Sequence, residues 1–367
     1  MADLMKKSSG TYSALAETYG DFKVPAVRVK IGGTQYSSVT AKETKKGKML
    51  LIEKVDTYLC HDEGSSVSVV VGDAYDLEGS KFRETVSLGD TMQVEVGYGS
   101  VFHEIFSGFV GEIQFEYYGT DQQIRITGFD AIYLMSQNFS SNYYTEKKYS
   151  DIINAIIGNY SNVLKKGTID SSNEQPRAFM SCQGMSDYRY ICDVLCPLAG
   201  KEFYIFDGKA YFQAIDKREK SQSVSLKLGQ SLFDFSITSA YANFEIQVSN
   251  AVGTDPTTVL LGKSSGKSDS TQKSAVSSAQ KRFLQMRYAE DSNGVKAAAE
   301  YILKKSIAER QTARGVCVGL PEIIPGRCIV INGIQKSYES KKFWIDTVHH
   351  KINETGFVTE FTVKGWS

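Results

Sequence analysis

One pattern of glycines, aromatics and alternating apolar residues occurs twice in this chain, at an offset of 237 positions. Gly89, Phe106, Gly119, Gly128 and Phe129 recur without a gap as Gly326, Phe343, Gly356, Gly365 and Trp366. The segments between these anchors also agree. Met92-x-Val94 is echoed by Ile329-x-Ile331, and the closing run Ile124-x-Ile126-x-Gly128-Phe129 by Phe361-x-Val363-x-Gly365-Trp366. The repeated positions are backbone pivots and one aromatic anchor, and the period-2 face keeps its phase, which a one-residue slip would invert. The pattern predicts two related β-modules in one chain. Such a chain suits a ring or tube better than a single active site.

The rest of the chain reads as mainly β with an α/β insertion. We divide it into an N-terminal arm (1–22), a first tube-like β-barrel (23–145), an α/β insertion (146–222) and a second tube-like β-barrel (223–367). Short strands separated by glycine turns indicate a barrel or sandwich in the first module. Within the insertion, Ser150 is read as a helix N-cap ahead of the stripe Ile152, Ile153, Ile156, Ile157 and Tyr160. A second helix runs from a Ser186 cap to Gly200. Asp207-Gly208 between apolar runs predicts a type I′ hairpin turn. Phe233-x-Phe235-x-Ile237 and Ala242-x-Phe244-x-Ile246-x-Val248 read as strands of the second barrel. That barrel is interrupted at about 257–314 by a flexible polar loop, Gly262–Ser278, and a helix over Val295–Arg310.

Composition narrows the function. Forty-two basic residues balance 42 acidic ones, which argues against generic nucleic-acid or membrane-surface binding. Tyrosine (21) and phenylalanine (19) are abundant and proline (6) is scarce, a balance that favours strands and interfaces over disorder. No signal-peptide pattern or bilayer-length apolar run is present, so we expect a soluble protein made in the bacterial cytoplasm. The six scattered cysteines read as reduced, mostly buried thiols.

Apparent chemical motifs dissolve on inspection. Gly262-Lys-Ser-Ser-Gly266-Lys267-Ser268 is one residue short of a phosphate-binding loop, since Leu261 stands where the first glycine belongs. The same stretch satisfies G-x-S-x-G around Ser264 but lacks the strand–turn–helix setting. His349 and His350 are neighbours on a strand and face opposite ways. Cys182, Cys192 and Cys196 have no evident fourth metal ligand, and Asp62-Glu63 has no recognisable partner. We therefore expect no catalytic residues, no metal and no cofactor. The candidate contact residues are the lysine run Lys42, Lys45, Lys46 and Lys48, together with Lys281, Arg282 and Arg287. The last three lie in a segment, Thr257–Arg314, with 11 basic and 5 acidic residues.

Several ordered stretches resemble phage late control D proteins. They include Leu15-Ala-Glu-Thr-Tyr-Gly20, Phe106-Ser-Gly-Phe-Val-Gly-Glu-Ile, Lys148-Tyr-Ser-Asp-Ile-Ile153, Ala199-Gly-Lys-Glu-Phe-Tyr204 and Trp344-Ile-Asp-Thr-Val-His-His. That family supplies the baseplate hub of contractile tails: phages, tailocins, injection systems and the hub part of type VI secretion spikes. The resemblance implies a non-enzymatic homotrimer that adapts a threefold spike to a sixfold inner tube. Its implied partners are a spike protein, the tube or a tube initiator, baseplate wedge proteins and a tape measure protein. The chain ends at Ser367 after the second module, so a separate spike protein is expected. The competing readings are a tail-associated cell-wall hydrolase and a carbohydrate-binding β-protein.

Overall fold

The computed structural model describes residues 4–7, 10–37, 51–72, 75–76, 79, 81–82, 86–119, 121–182, 184–214, 223–250, 260–268, 272–286, 288–289, 291–339 and 341–366. The N-terminal segment contributes β1 (Gly10–Thr11) and α1 (Tyr12–Thr18), capped by Thr11. The first module follows as β2 (Pro25–Ile31), β3 (Thr34–Ser37), β4 (Leu51–Cys60) and β5 (Ser66–Gly72). A small hairpin, β6 (Tyr75–Asp76) and β7 (Lys81–Phe82), precedes β8 (Thr91–Tyr98), β9 (Val101–Tyr118) and β10 (Asp121–Phe129). Alternation puts Val27, Val29, Val69, Val71, Met92, Val94, Ile124 and Ile126 on one buried face. The period-2 pattern read from the sequence is thus the pleat of a one-sided sheet.

The chain then forms α2 (Ala131–Gln137), β11 (Tyr143–Lys147), α3 (Tyr149–Gly158), β12 (Lys165–Ile169) and β13 (Arg177–Ser181). It continues with α4 (Asp187–Arg189), a π-helical turn (Tyr190–Leu195), α5 (Cys196–Ala199), β14 (Lys201–Phe206) and β15 (Lys209–Ala214). Ser186 does cap its helix, accepting from the Arg189 amide, and Gly200 ends it at φ 64°. Asp207 (φ 50°) and Gly208 (φ 63°) both take the left-handed conformation that a type I′ turn requires. Ser150 is not a cap. The helix starts after Lys148, and the Ser150 amide inside its first turn donates to Glu174 Oε2 at 2.9 Å.

The second module is β16 (Ser223–Lys227), β17 (Leu232–Ser239), β18 (Asn243–Ser249), β19 (Leu261–Lys267), β20 (Gln280–Gln285) and α6 (Ser292–Ala308). β21 (Gln311–Val318), β22 (Cys328–Asn332), the short α7 (Lys336–Glu339), β23 (Phe343–Asn353) and β24 (Gly356–Trp366) complete it. Helix α6 begins three residues before Val295, because the Asp291 carboxylate accepts from the Gly294 amide.

Three expectations change here. β18 is not a barrel strand; it forms a separate three-stranded sheet between β19 and β20, with α6 packed against it. Its inward Phe244, Ile246 and Val248 join Ile152, Ile156, Leu195 and Phe212 in a second hydrophobic core shared with the insertion. Alternation alone cannot say which sheet a strand joins. The segment expected to be a flexible loop contains β19, whose Gly262 and Gly266 let α6 approach closely. A Cβ on Gly262 would lie 2.2 Å from the Val295 carbonyl oxygen. The third change concerns the repeat, which is not gapless. Phe129 pairs with Phe109 whereas Trp366 pairs with Phe343, so the counterpart of Phe343 is Phe109 and not Phe106. The glycines that open the two units do match: Gly89 (φ 88°) and Gly326 (φ 80°) share the left-handed region.

The strand order of the two modules corresponds throughout. In the first, neighbours run β2-β8-β9-β10-β5-β4; in the second, β16-β22-β23-β24-β21-β17. Across the first module Ile52, Val71, Ile124 and Phe115 stand in one row. Across the second, Phe235, Gly315, Phe361 and Val348 occupy the same places. One difference is the direction of the lateral strand: β2 runs antiparallel to β8, but β16 runs parallel to β22. Both modules belong to one 14-stranded sheet and one core, with Ile126 and Val363 each 1% exposed.

Candidate assembly surface

The two modules meet where β23 pairs antiparallel with β4: Val348 opposes Leu59 and Lys351 opposes Asp56. The Thr57 hydroxyl accepts the His350 amide at 2.9 Å, and both residues are buried. Burial pushes the His350 imidazole down to about 3, so it is neutral, with Nδ1 2.9 Å from Thr359 Oγ1. The junction is therefore a sheet ladder whose buried positions carry apolar and neutral polar side chains. It holds the modules in one relative orientation.

A charged knot lies beside it. Asp62, in the turn after β4, approaches His61 Nδ1 (2.9 Å), Lys305 Nζ of α6 (3.5 Å) and Lys364 Nζ of β24 (3.7 Å). Its backbone carbonyl accepts from Tyr188 Oη at 2.5 Å. Lys364 also reaches Asp346 at 3.0 Å, and His61 Nε2 lies 3.3 Å from Glu202. Burial pulls Lys305 down, but Asp62 and Glu202 outweigh it and hold the ammonium above its usual range. Asp62, Glu202, Lys305 and Lys364 border a cavity of about 240 Å³ that Trp344 and Trp366 also line. The knot ties the first module, the insertion, α6 and the second module together.

The N-terminal segment is pinned rather than loose. β1 adds parallel to β16, and Leu4, Leu15 and Tyr19 enter the main core. Buried Glu322 receives Lys7 Nζ at 2.5 Å and Tyr19 Oη at 2.6 Å, while Arg327 donates to the Lys7 carbonyl at 3.0 Å. Burial, then the adjacent Lys7 charge, lowers the His103 pKa, so its Nε2 can accept from Lys7 at 3.2 Å.

The candidate contact residues do not converge. Lys42, Lys45, Lys46, Lys48 and Arg287 lie outside the described residues. Lys281 is exposed on β20. Arg282 is engaged within the chain: its guanidinium carbon sits 4.2 Å from the centroid of the Phe244 ring, and Nη1 donates to Ser306 at 3.2 Å. The expectation that Asp62 lacks a partner is overturned by Lys305 and Lys364, which lie far away in the sequence and carry no local signal. Ser264 is mid-strand in β19, opposite Ile246, and makes no nucleophile elbow. Among the described residues no group of three His, Cys, Asp or Glu side chains could hold a metal ion, and no helix is long and apolar enough to cross a membrane.

A mainly β chain of two like modules joined by one sheet, with an α/β side unit, is the fold of tail proteins of phage-like particles. The prophage MuSo2 43 kDa tail protein from Shewanella oneidensis shares 12% identity at a TM-score of 0.65, over 92% of this chain and 98% of that one. A tail protein from Neisseria meningitidis MC58 shares 13% at 0.64, over 93% and 97%. An E. coli component of the type VI secretion system, itself described as similar to T4 bacteriophage tail proteins, shares 10% at 0.56, over 92% and 77%. At these identities the likeness establishes the fold. No curated protein matches the chain. The model of the Alg8 N-terminal domain family matches residues 72–354, and the chain belongs to that family.

Proposed function

We propose that this protein is the structural baseplate hub of a contractile tail or injection particle. In this reading it is a homotrimer whose six modules offer a near-sixfold face to the inner tube and a threefold face to the spike. The observation that carries it is the matched strand order of two modules fused through β23 and β4 into a single sheet. A duplicated module in each of three subunits converts threefold symmetry into approximate sixfold symmetry. The fold shared with phage tail proteins and a type VI secretion component supports this reading. Its role is non-enzymatic, and its partners are the spike, the tube or tube initiator, the wedge proteins and the tape measure protein.

We divide the chain into an arm (1–22), a first barrel (23–130), a side unit and a second barrel. The side unit is built from 131–222 plus 240–310, because those two segments share a core. Native mass spectrometry of the purified chain tests the function. A trimer is expected at micromolar concentration, and a monomer that hydrolyses peptidoglycan would replace the hub with a hydrolase.

A further inference from the structure

The chain has two tryptophans, and both line the cavity of about 240 Å³ beside the charged knot. Each ring is held by its neighbours. A Cβ on Gly365 would lie 2.7 Å from Cε3 and Cζ3 of Trp344, so that ring rests against glycine backbone. Trp366 meets Tyr338 edge-on and Phe343 at a tilt, with each ring centroid 5.6 Å away. Ile307 and Ala308, from the last turn of α6, extend the apolar lining. The volume falls just below the roughly 300 Å³ at which sites for drug-sized ligands begin, so it suits one ring with one polar group.

Four lysines supply most of the polar lining, and they fall into two kinds. Lys305 and Lys364 are committed to carboxylates: they lie 3.5 and 3.7 Å from Asp62, and Lys364 lies 3.0 Å from Asp346. Glu202, the other half-enclosed carboxylate of the lining, faces His61 Nε2 at 3.3 Å and adds to the field that keeps Lys305 charged. Lys267, at the end of β19, and Lys304, on α6, differ. Both are exposed, and neither makes an ion pair among the described residues. The exposed part of the lining adds a single carboxylate, Glu309.

Lys267 belongs to the stretch that imitates a phosphate-binding loop. Pairing of β19 with β18 as far as Lys267 draws that stretch out as a strand, so its amides form no anion-binding nest. The Ser268 hydroxyl donates to the Ala240 carbonyl at 2.8 Å and is spent within the chain. What the stretch offers an anion is the Lys267 ammonium.

We infer that this cavity binds a small aromatic oxyanion, a carboxylate or phosphate ester carried on a single ring. The ring packs against Trp344 and Trp366, and the anionic group meets Lys267 and Lys304. Aromatic pairs gain beyond their buried area, and charge-assisted contacts to the two exposed lysines set which end of the ligand points outward. A bound ligand thus bridges α6 and β19 to β23 and β24. The site lies within one chain and does not depend on the hub reading.

Tryptophan fluorescence of the purified full chain tests it, since both emitters line the cavity. Benzoate and phenyl phosphate are the probes, and inorganic phosphate and benzyl alcohol are the controls. At least one probe should give a saturable change below about 10 mM, the modest affinity that so few ligand atoms supply. A response to benzoate alone identifies a carboxylate site, and a response to phenyl phosphate alone a phosphate site. Lys267→Ala with Lys304→Ala should weaken binding about tenfold, as the loss of charge-assisted contacts does. Lys263→Ala with Lys281→Ala removes as much charge from exposed positions outside the cavity and should leave binding unchanged. Circular dichroism confirms that both double variants fold. No saturable change with either probe overturns the site. So does benzyl alcohol or inorganic phosphate binding as tightly as the aromatic anions, or an equal loss in the two double variants. Native mass on the same samples reports the hub separately: a monomer that binds keeps this site and loses the hub.

Discussion

Thr57 of β4 and the His350 amide of β23 share a hydrogen bond of 2.9 Å that crosses from one module to the other. Both residues are buried, so water cannot replace either partner. Thr57→Val keeps the shape and removes the acceptor, leaving a buried amide unsatisfied. We expect a loss of about 1–3 kcal/mol in urea denaturation. A change below about 0.5 kcal/mol would mean that this bond does not hold the junction.

His350 makes the junction sensitive to acid. Its folded pKa of about 3 lies well below the ordinary histidine value of about 6.5, so the unfolded chain binds the extra proton first. Stability from this residue is complete above pH 6.5 and is lost as the pH falls toward 3, at up to about 1.4 kcal/mol per pH unit. Asp130, raised to about 7 by burial, works in the opposite sense between about pH 4 and 7. The comparison is therefore between wild type and His350→Gln, both of which retain Asp130. The variant should lose less stability between pH 6.5 and 4, and parallel curves would exclude titration of His350 as the cause.

The side unit depends on one buried ion pair, Lys201 Nζ to Glu174 Oε1 at 2.6 Å, with side chains 4% and 2% exposed. Lys201 also donates to the Asp170 and Ser172 carbonyls. Lys201→Met strands the Glu174 carboxylate and should cost about 3–5 kcal/mol. Adding Glu174→Gln should recover part of the loss, because the glutamine oxygen can still accept the Ser150 amide. Thermal melts of the single and double variants measure the coupling, and strict additivity would deny it.

Lys281 and Arg282 are neighbours with different expected outcomes. Arg282→Glu removes the stack on Phe244 and the bond to Ser306 and should lower stability by about 1–2 kcal/mol. Lys281→Glu should leave the melting temperature within about a degree, as exposed substitutions usually do. If Lys281 contacts an acidic neighbour in the particle, reversal of its charge should reduce recovery of assembled particles. Full assembly at physiological salt would place Lys281 outside the interface.

How legible the chain was depended on the range of each interaction. The duplication, the Ser186 cap, the Asp207-Gly208 turn and the inward row at Ile124, Ile126, Phe361 and Val363 are written in local pattern and were readable. The hairpin register was not, because bulges at Thr127/Gly128 and along β23 shift the pairing in ways that residue spacing does not record. The sheet to which β18 belongs was also hidden, since its alternation suits either core. Lys305 and Lys364 reach Asp62, and Tyr19 reaches Glu322, across hundreds of residues, so the local sequence announces none of these contacts. The repeat pointed to a duplicated β-protein.

The shared second core sets an order of events during synthesis. α3, the π-helical turn and β15 leave the ribosome first, with Ile152, Ile156, Leu195 and Phe212 awaiting cover. The residues that cover them, Phe244, Ile246, Val295 and Ala299, arrive only after β16 and β17 have been made. A nascent chain halted near Ala214 thus carries a half-built interior open to water, where chaperones or sister chains can bind it. The side unit closes late, and the last strands of the second module can complete their sheet around a part already finished.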